Sequence, residues 1–107
     1  MKPVLGHRIR FKWIEWNREK VASHGISPAE AEQVLQSNPE VTIGHSGAFV
    51  ARGQTTLGRY LEVVFVWDEP GEHVAAVHEY DDEVVFVITA YYMTRTRKKG
   101  YRRRRRP

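Results

Sequence analysis

The chain has 107 residues, enough for one domain with a single modest core. It has no cysteine, so disulfides and thiolate metal sites are excluded, and no apolar run reaches the length of a membrane span. Its start lacks the long apolar core of a signal peptide, and we therefore expect a soluble cytoplasmic protein.

The net charge of +4 is divided unevenly along the chain. Residues 1–93 carry eight Lys and Arg against thirteen Asp and Glu, whereas residues 94–107 carry nine Lys and Arg and no acid. A basic end on an acidic body indicates a polyanionic partner or a protein with an acidic face. The alternative is a solvated tail that only aids solubility.

The first third of the chain predicts a strand and two helices. Residues 1–8 form a loose lead-in, and residues 9–16 alternate as a strand does. Asn17 is the expected N-cap of a short helix over residues 18–23. A second helix starts at Ser27 with Pro28 and a capping-box Glu30, and Asn38-Pro39 ends it. Its buried stripe is Ala31, Val34 and Leu35.

The remainder predicts mostly strands. Short strands are expected at residues 41–43 and 49–52, and strongly apolar strands at 59–67 and 84–90. An acidic connection spans residues 68–83, within which residues 73–80 fit either a short strand or a helical turn. Residues 93–102 predict a basic terminal helix, in which Gly100 is unfavourable.

The order β-α-α-β-β-β-α indicates an α+β domain. We expect a small antiparallel sheet with two N-terminal helices packed on one face and a basic C-terminal helix. The domain occupies residues 1–101, and residues 102–107 form an Arg-rich tail. The last strand delivers Tyr91 and Tyr92 and then a dense cationic segment to one end of the sheet, which favours an RNA-facing surface.

Several segments resemble the BrnT family in the same order along the chain. Residues 11–17, then Glu19-Lys20 and SHGIS at 23–27, resemble its opening strand, short helix and His-Gly-Val-Ser element. GQTTLGRYL at 53–61 resembles its Gly-Arg-x-x-x-Gly-Arg-Leu-Leu segment. Ile88-Thr89-Ala90, Thr94-Arg95 and Tyr101 resemble its closing element. The resemblance covers roughly residues 11–101.

The resemblance implies a RelE-like fold and a type II toxin that inhibits translation as an endoribonuclease. It also implies a cognate antitoxin as partner. The expected assembly is either a toxin–antitoxin hetero-oligomer or a homodimer of this chain. The chain departs from the family where Gln54 replaces an arginine, where Tyr91-Tyr92 replaces an Arg-Arg pair, and in the longer acidic segment 68–83. These departures put the activity in doubt.

Metal-independent RNA cleavage needs a base, an acid and a cation for the charged phosphorane. The arginines that match the family are Arg59 and Arg95, and each has the alternative of an ordinary surface charge. Tyr92 or His24 is the expected proton-transfer group, although a histidine after a helix more often caps its C-terminus. The predicted RNA-binding residues are Arg52, Arg97, Lys98, Lys99, Arg102 and Arg103.

We expect no metal or other cofactor. His73 and His78 lie among acidic residues, but no ligand spacing matches a metal site. Trp13, Trp16 and Trp67 are expected in the core or in an interface. Two alternatives to the toxin remain: a non-catalytic relative that binds a partner or nucleic acid, and a small structural domain with a solubilising tail.

Overall fold

A computed structural model describes residues 9–68 and 83–106. The predicted lead-in at 1–8 and the undecided segment 73–80 lie outside these residues. The described parts form five strands, three α-helices and one 3-10 turn. In chain order they are β1 (Ile9–Lys12), α1 (Glu15–Ser23), α2 (Pro28–Gln36), β2 (Glu40–Ile43), the 3-10 turn (His45–Gly47), β3 (Phe49–Gln54), β4 (Tyr60–Trp67), β5 (Glu83–Tyr92) and α3 (Arg95–Arg104).

The α+β class is confirmed, but the prediction of an antiparallel sheet is wrong at one edge. The strands lie in the order β1-β5-β4-β3-β2, and β1 runs parallel to β5 while every other pair is antiparallel. All four strands predicted after α2 are present, one more than the order β-α-α-β-β-β-α counts, and residues 40–43 and 49–54 pair as a hairpin. The sheet is therefore mixed, and its first strand pairs with its last.

The boundary between β1 and α1 differs from the prediction. The strand ends at Lys12 and α1 already begins at Glu15, with Ile14 at the N-cap. Asn17, the predicted N-cap, lies within the first turn and is fully buried. Its side chain accepts from the Ile14 backbone N–H (2.7 Å) and donates to the carbonyls of Lys12 (3.0 Å) and Val87 (2.8 Å). Asn17 thus ties α1 to two strands.

The prediction for α2 is confirmed. The Ser27 hydroxyl accepts from the Glu30 N–H, and Glu30 accepts from the Ser27 N–H. A Cβ at Gly53 would meet Val34 Cγ1 at 3.1 Å, so α2 lies close against β3. The core lies between the sheet and the two N-terminal helices, and its fully buried members include the predicted stripe. They are Val21, Ala31, Val34, Leu35, Ala51, Leu61, Val63, Phe65, Val85, Val87 and Ala90.

Helix α3 lies against the opposite face of the sheet. Side chains alternate along a strand, so Tyr60 and Glu62 point away from the face that carries buried Leu61. Tyr101 of α3 is buried edge-on against Tyr60, with ring centroids 6.0 Å apart. The helix runs to Arg104, and the first residues of the predicted tail therefore form its last turn.

No helix within residues 9–68 and 83–106 is long and apolar enough to cross a membrane.

Candidate nucleic-acid interface

The predicted catalytic residues converge where β4 begins and β5 ends. The Arg59 carbonyl accepts from the Thr55 N–H (2.8 Å), and the Thr55 hydroxyl accepts from the Arg59 N–H (3.1 Å). Gly58 closes this turn at φ +90°, a conformation that L side chains rarely adopt. The Met93 N–H then donates to the Tyr60 carbonyl (3.0 Å). These bonds fix Arg59 beside the end of β5.

Arg59 contacts an acid and an aromatic ring at the same time. Its Nη1 lies 2.6 Å from Glu30 Oε2, and its guanidinium carbon lies 5.2 Å from the centre of the Tyr92 ring. The Arg59 side chain is 42% exposed. A guanidinium has five N–H donors, so one bond to Glu30 leaves donors for a phosphate.

The ion pair changes the pKa of both partners. Burial would raise the pKa of Glu30, but hydrogen bonds from Arg59 and from the Ser27 N–H lower it below the usual value. The hydrogen bond to Glu30 raises the pKa of Arg59. Glu30 is therefore an anion and Arg59 a cation at neutral pH.

Tyr92 and His24 meet at the loop between α1 and α2. The Tyr92 hydroxyl donates to the Gly25 carbonyl at 3.4 Å, and His24 is the C-cap residue of α1. The His24 ring lies edge-on to Tyr91, with centroids 6.0 Å apart. The two tyrosines face opposite sides of the sheet, and neither joins the core: Tyr91 is half-buried and Tyr92 exposed.

Arg95 is the first residue of α3, three positions after Tyr92. Thr94 caps the helix, and its hydroxyl accepts from the Arg97 N–H (3.1 Å). The Arg95 side chain is exposed, and no ion pair reaches it from residues 9–68 and 83–106. The fold thus places Arg95 at the same end of the sheet as Arg59.

The predicted RNA-binding cations on α3 divide into two groups. Arg97 Nη1 lies 3.2 Å from Glu62 Oε2, and Lys98 Nζ lies 4.8 Å from the centre of the Tyr60 ring. Arg104 forms two hydrogen bonds to Glu40, at 2.5 and 2.9 Å. These three side chains hold α3 to the sheet. The other group is exposed and has no acidic partner among the described residues: Lys99, Arg102 and Arg103.

Arg52, also predicted to bind RNA, lies beneath α3. It is 8% exposed, its Nε donates to Glu62 Oε2 at 2.7 Å, and its Nη1 donates to the Thr42 hydroxyl at 2.9 Å. Glu40 lies 4.0 Å away. The Arg52 guanidinium is buried and bonded to Glu62 and Thr42, and this placement favours a structural role.

The three tryptophans differ in exposure. Trp13 and Trp67 pack against the core, and the Trp13 indole donates to Glu32 at 2.8 Å. Trp16 is 49% exposed and stacks on Phe86, with ring centroids 6.2 Å apart. Within the described residues, no three His, Asp or Glu side chains lie close enough to hold a metal ion. His73 and His78 lie outside them.

Sequence reasoning missed three acidic residues that organise this surface. Glu30 was assigned only to helix capping, yet its second oxygen binds Arg59. Glu40 and Glu62 anchor the basic helix. The signal in the sequence was the excess of acids in residues 1–93, some of which were available to pair with the cations of residues 94–107.

No protein-family model matches the chain, and no curated protein matches it.

Proposed function

We propose that the protein is a BrnT-like toxin with a RelE-like fold that acts in the cytoplasm as a metal-independent endoribonuclease and is neutralised by a cognate antitoxin. One observation carries the proposal. Arg59 lies over the Tyr92 ring at the end of the sheet where the basic helix α3 begins. A cation, a phenol and a row of phosphate-binding groups are thereby adjacent.

In the proposed reaction, Arg59 and Arg95 bind the scissile phosphate and stabilise charge on the phosphorane. The ribose 2′-oxygen forms a bond to phosphorus as its proton passes to a base. The bond from phosphorus to the 5′-oxygen breaks, and that oxygen takes a proton from an acid. Tyr92 or His24 supplies the proton transfer. The cations of α3 hold the neighbouring backbone electrostatically.

A second candidate is a non-catalytic module that binds RNA or an antitoxin-like partner. Arg59 is already paired with Glu30, and Arg52 is buried in a charge network. Three cationic positions of the BrnT pattern are occupied by Gln54, Tyr91 and Tyr92 here. These observations support a protein that binds RNA or an antitoxin-like partner but does not cleave RNA.

The test is growth after induced expression of the wild type, an Arg59→Ala/Arg95→Ala variant and a charge-matched Arg18→Ala/Arg106→Ala control, with soluble levels compared. The proposal expects arrest by the wild type and the control but not by the first variant. Sequencing RNA ends from arrested cells then locates the cuts. Equal growth of all three strains at equal soluble protein would contradict the toxin and favour the non-catalytic module.

A further inference from the structure

Helix α3 carries a groove along its outer side. The groove has a volume of about 340 Å³ and is lined by six residues of this helix. They are Thr96, Arg97, Lys99, Gly100, Arg103 and Arg104. Gly100 forms the floor, since it has no side chain to fill the space between its neighbours.

One side of the groove is fixed by ion pairs. Arg97 reaches back to Glu62, and Arg104 reaches Glu40 with both Nε and Nη2. A Cβ on residue 100 would meet Arg104 Nη1 at 3.1 Å, so the Arg104 side chain crosses over Gly100 to reach its partner. A glycine in a helix is unfavourable, and here its absent side chain is what leaves room for that crossing.

The other side of the groove is formed by exposed cations. Lys99 and Arg103 are four residues apart, so they lie on the same face of the helix. Neither has an acidic partner among the described residues, and Thr96 adds a hydroxyl at the same end. The groove therefore presents one ammonium, one guanidinium and a hydroxyl that the fold itself does not use.

We propose that this α3 groove binds the phosphodiester backbone of single-stranded RNA, with Lys99 and Arg103 each contacting a phosphate. The inference rests on the proposed function and deepens it by placing a subsite away from Arg59. A row of cations along a groove suits a backbone of regularly spaced charges. A protein partner would instead need an apolar or aromatic centre, and the lining offers none.

The geometry connects the groove to the candidate active site. The helix spans about 15 Å at 1.5 Å per residue, and its first residue, Arg95, lies at the end of the sheet that carries Arg59. A strand of a few nucleotides covers that distance. RNA held in the α3 groove therefore extends along the helix to Arg95, at the end of the sheet where Arg59 and Tyr92 lie on the other face.

The experiment is fluorescence anisotropy with a labelled single-stranded RNA whose 2′-oxygens are methylated, so that it cannot be cleaved. The full chain is compared with Lys99→Gln/Arg103→Gln, and the control Arg18→Gln/Arg106→Gln removes the same charge outside the groove. We expect the groove variant to weaken binding at least tenfold and the control no more than about threefold. The slope of log Kd against log salt should fall by about 1.4 for the groove variant, since each lost phosphate contact on a single strand removes about 0.7.

Gly100→Ala provides a second test, in which a loss of RNA binding cannot be attributed to a loss of folding stability. An alanine favours the helix, but its methyl group crowds the Arg104 side chain that bonds Glu40, so the urea midpoint should stay close to that of the wild type. The same methyl group fills the floor of the groove, so RNA binding should weaken severalfold. A rise in both stability and affinity would overturn the proposal.

Other results would also overturn it: no binding of RNA by the wild type, equal weakening by the two double variants, or equally tight binding of polyglutamate with the same dependence on Lys99 and Arg103. Groove-dependent binding without any cleavage of ordinary RNA would leave the subsite standing and contradict the endoribonuclease.

Discussion

The Glu30 carboxylate bonds Arg59 through one oxygen, at 2.6 Å, and accepts from the Ser27 N–H at the start of α2 through the other, at 3.1 Å. One side chain therefore links a helix cap to the cation that we place on the phosphate. The position of Arg59 depends on where α2 begins.

Glu30→Gln should tighten RNA binding. The variant keeps an oxygen for the Ser27 N–H and removes a negative charge next to Arg59. Near a solvent-exposed phosphate the lost repulsion is about 1 kcal/mol, or about fivefold in Kd. Fluorescence anisotropy with the methylated RNA measures this change in Kd. Glu19→Gln on α1, which removes a negative charge away from Arg59, is the control. Unchanged or weaker binding by Glu30→Gln would mean that Glu30 is needed to present Arg59.

Arg59→Lys should keep the fold and lose cleavage. Lysine retains the charge but lacks the planar fork that reaches Glu30 and a phosphate together. Removing a donor to a developing charge typically lowers kcat by about a hundredfold or more. Single-turnover cleavage of a short RNA provides the rate, and the urea midpoint checks the fold. A lysine variant as active as the wild type would show that the fork is not required.

Removing one partner of the buried pair should be costly. In Arg52→Met the Glu62 carboxylate, 6% exposed, loses its closest cation but keeps Arg97 at 3.2 Å, and the free energy of unfolding should fall by about 2–3 kcal/mol. The double variant Arg52→Met/Glu62→Leu should recover most of that loss, because it leaves no buried charge unpaired. Urea unfolding of the wild type, Arg52→Met, Glu62→Leu and the double variant measures these free energies. If the double variant loses the sum of the two single losses, the pairing is contradicted.

Asn17→Asp should destabilise the protein despite its equal size. The amide nitrogen donates to the carbonyls of Lys12 and Val87, and a carboxylate would face both oxygens with no proton to donate. We expect a loss of about 2–4 kcal/mol in the free energy of unfolding at neutral pH. Partial recovery on acidification, as the aspartate becomes protonated, would support this cause. A loss below about 0.5 kcal/mol would contradict it.

Acid should weaken the attachment of α3. The hydrogen bond from Arg104 lowers the pKa of Glu40 below 4.5, although burial opposes it. A carboxyl whose pKa is lower in the folded state stabilises the fold above 4.5, and this contribution disappears as the pH falls through the folded value. Glu40→Gln should therefore cost about 1 kcal/mol near pH 7 and less at about pH 2. Urea midpoints at the two pH values test this, and an equal cost at both would exclude the ion pair as its cause.

The parts of the fold that depend on local pattern were predictable from the sequence. The capping box at Ser27 and Glu30 and the apolar runs of β4 and β5 each identify an element without knowledge of its neighbours. The position of β1 was not predictable in this way, because its partner in the sheet lies more than seventy residues later. Asn17 looks like a helix cap in sequence, and only the packing of α1 on β5 shows its third bond.

In the candidate site, too, local sequence pattern predicted the individual residues but not their contacts. Arg59 and Tyr92 were predicted separately, and the register between β4 and β5, in which Leu61 pairs with Tyr92, is what brings them together. The register of β3 on β4 places Arg52 beside Glu62 and thereby buries it. Sequence pattern specifies which side chains are cationic, whereas strand register decides which of them remain available to a ligand.

The parallel pairing of β1 with β5 affects when the protein folds during synthesis. A strand made near the start of the chain must wait for one made near its end, and such distant pairings slow folding. Until β5 is made, β1 has no partner in the sheet and Tyr92 is not yet beside Arg59. The proposed active site is therefore assembled only after synthesis has passed β5.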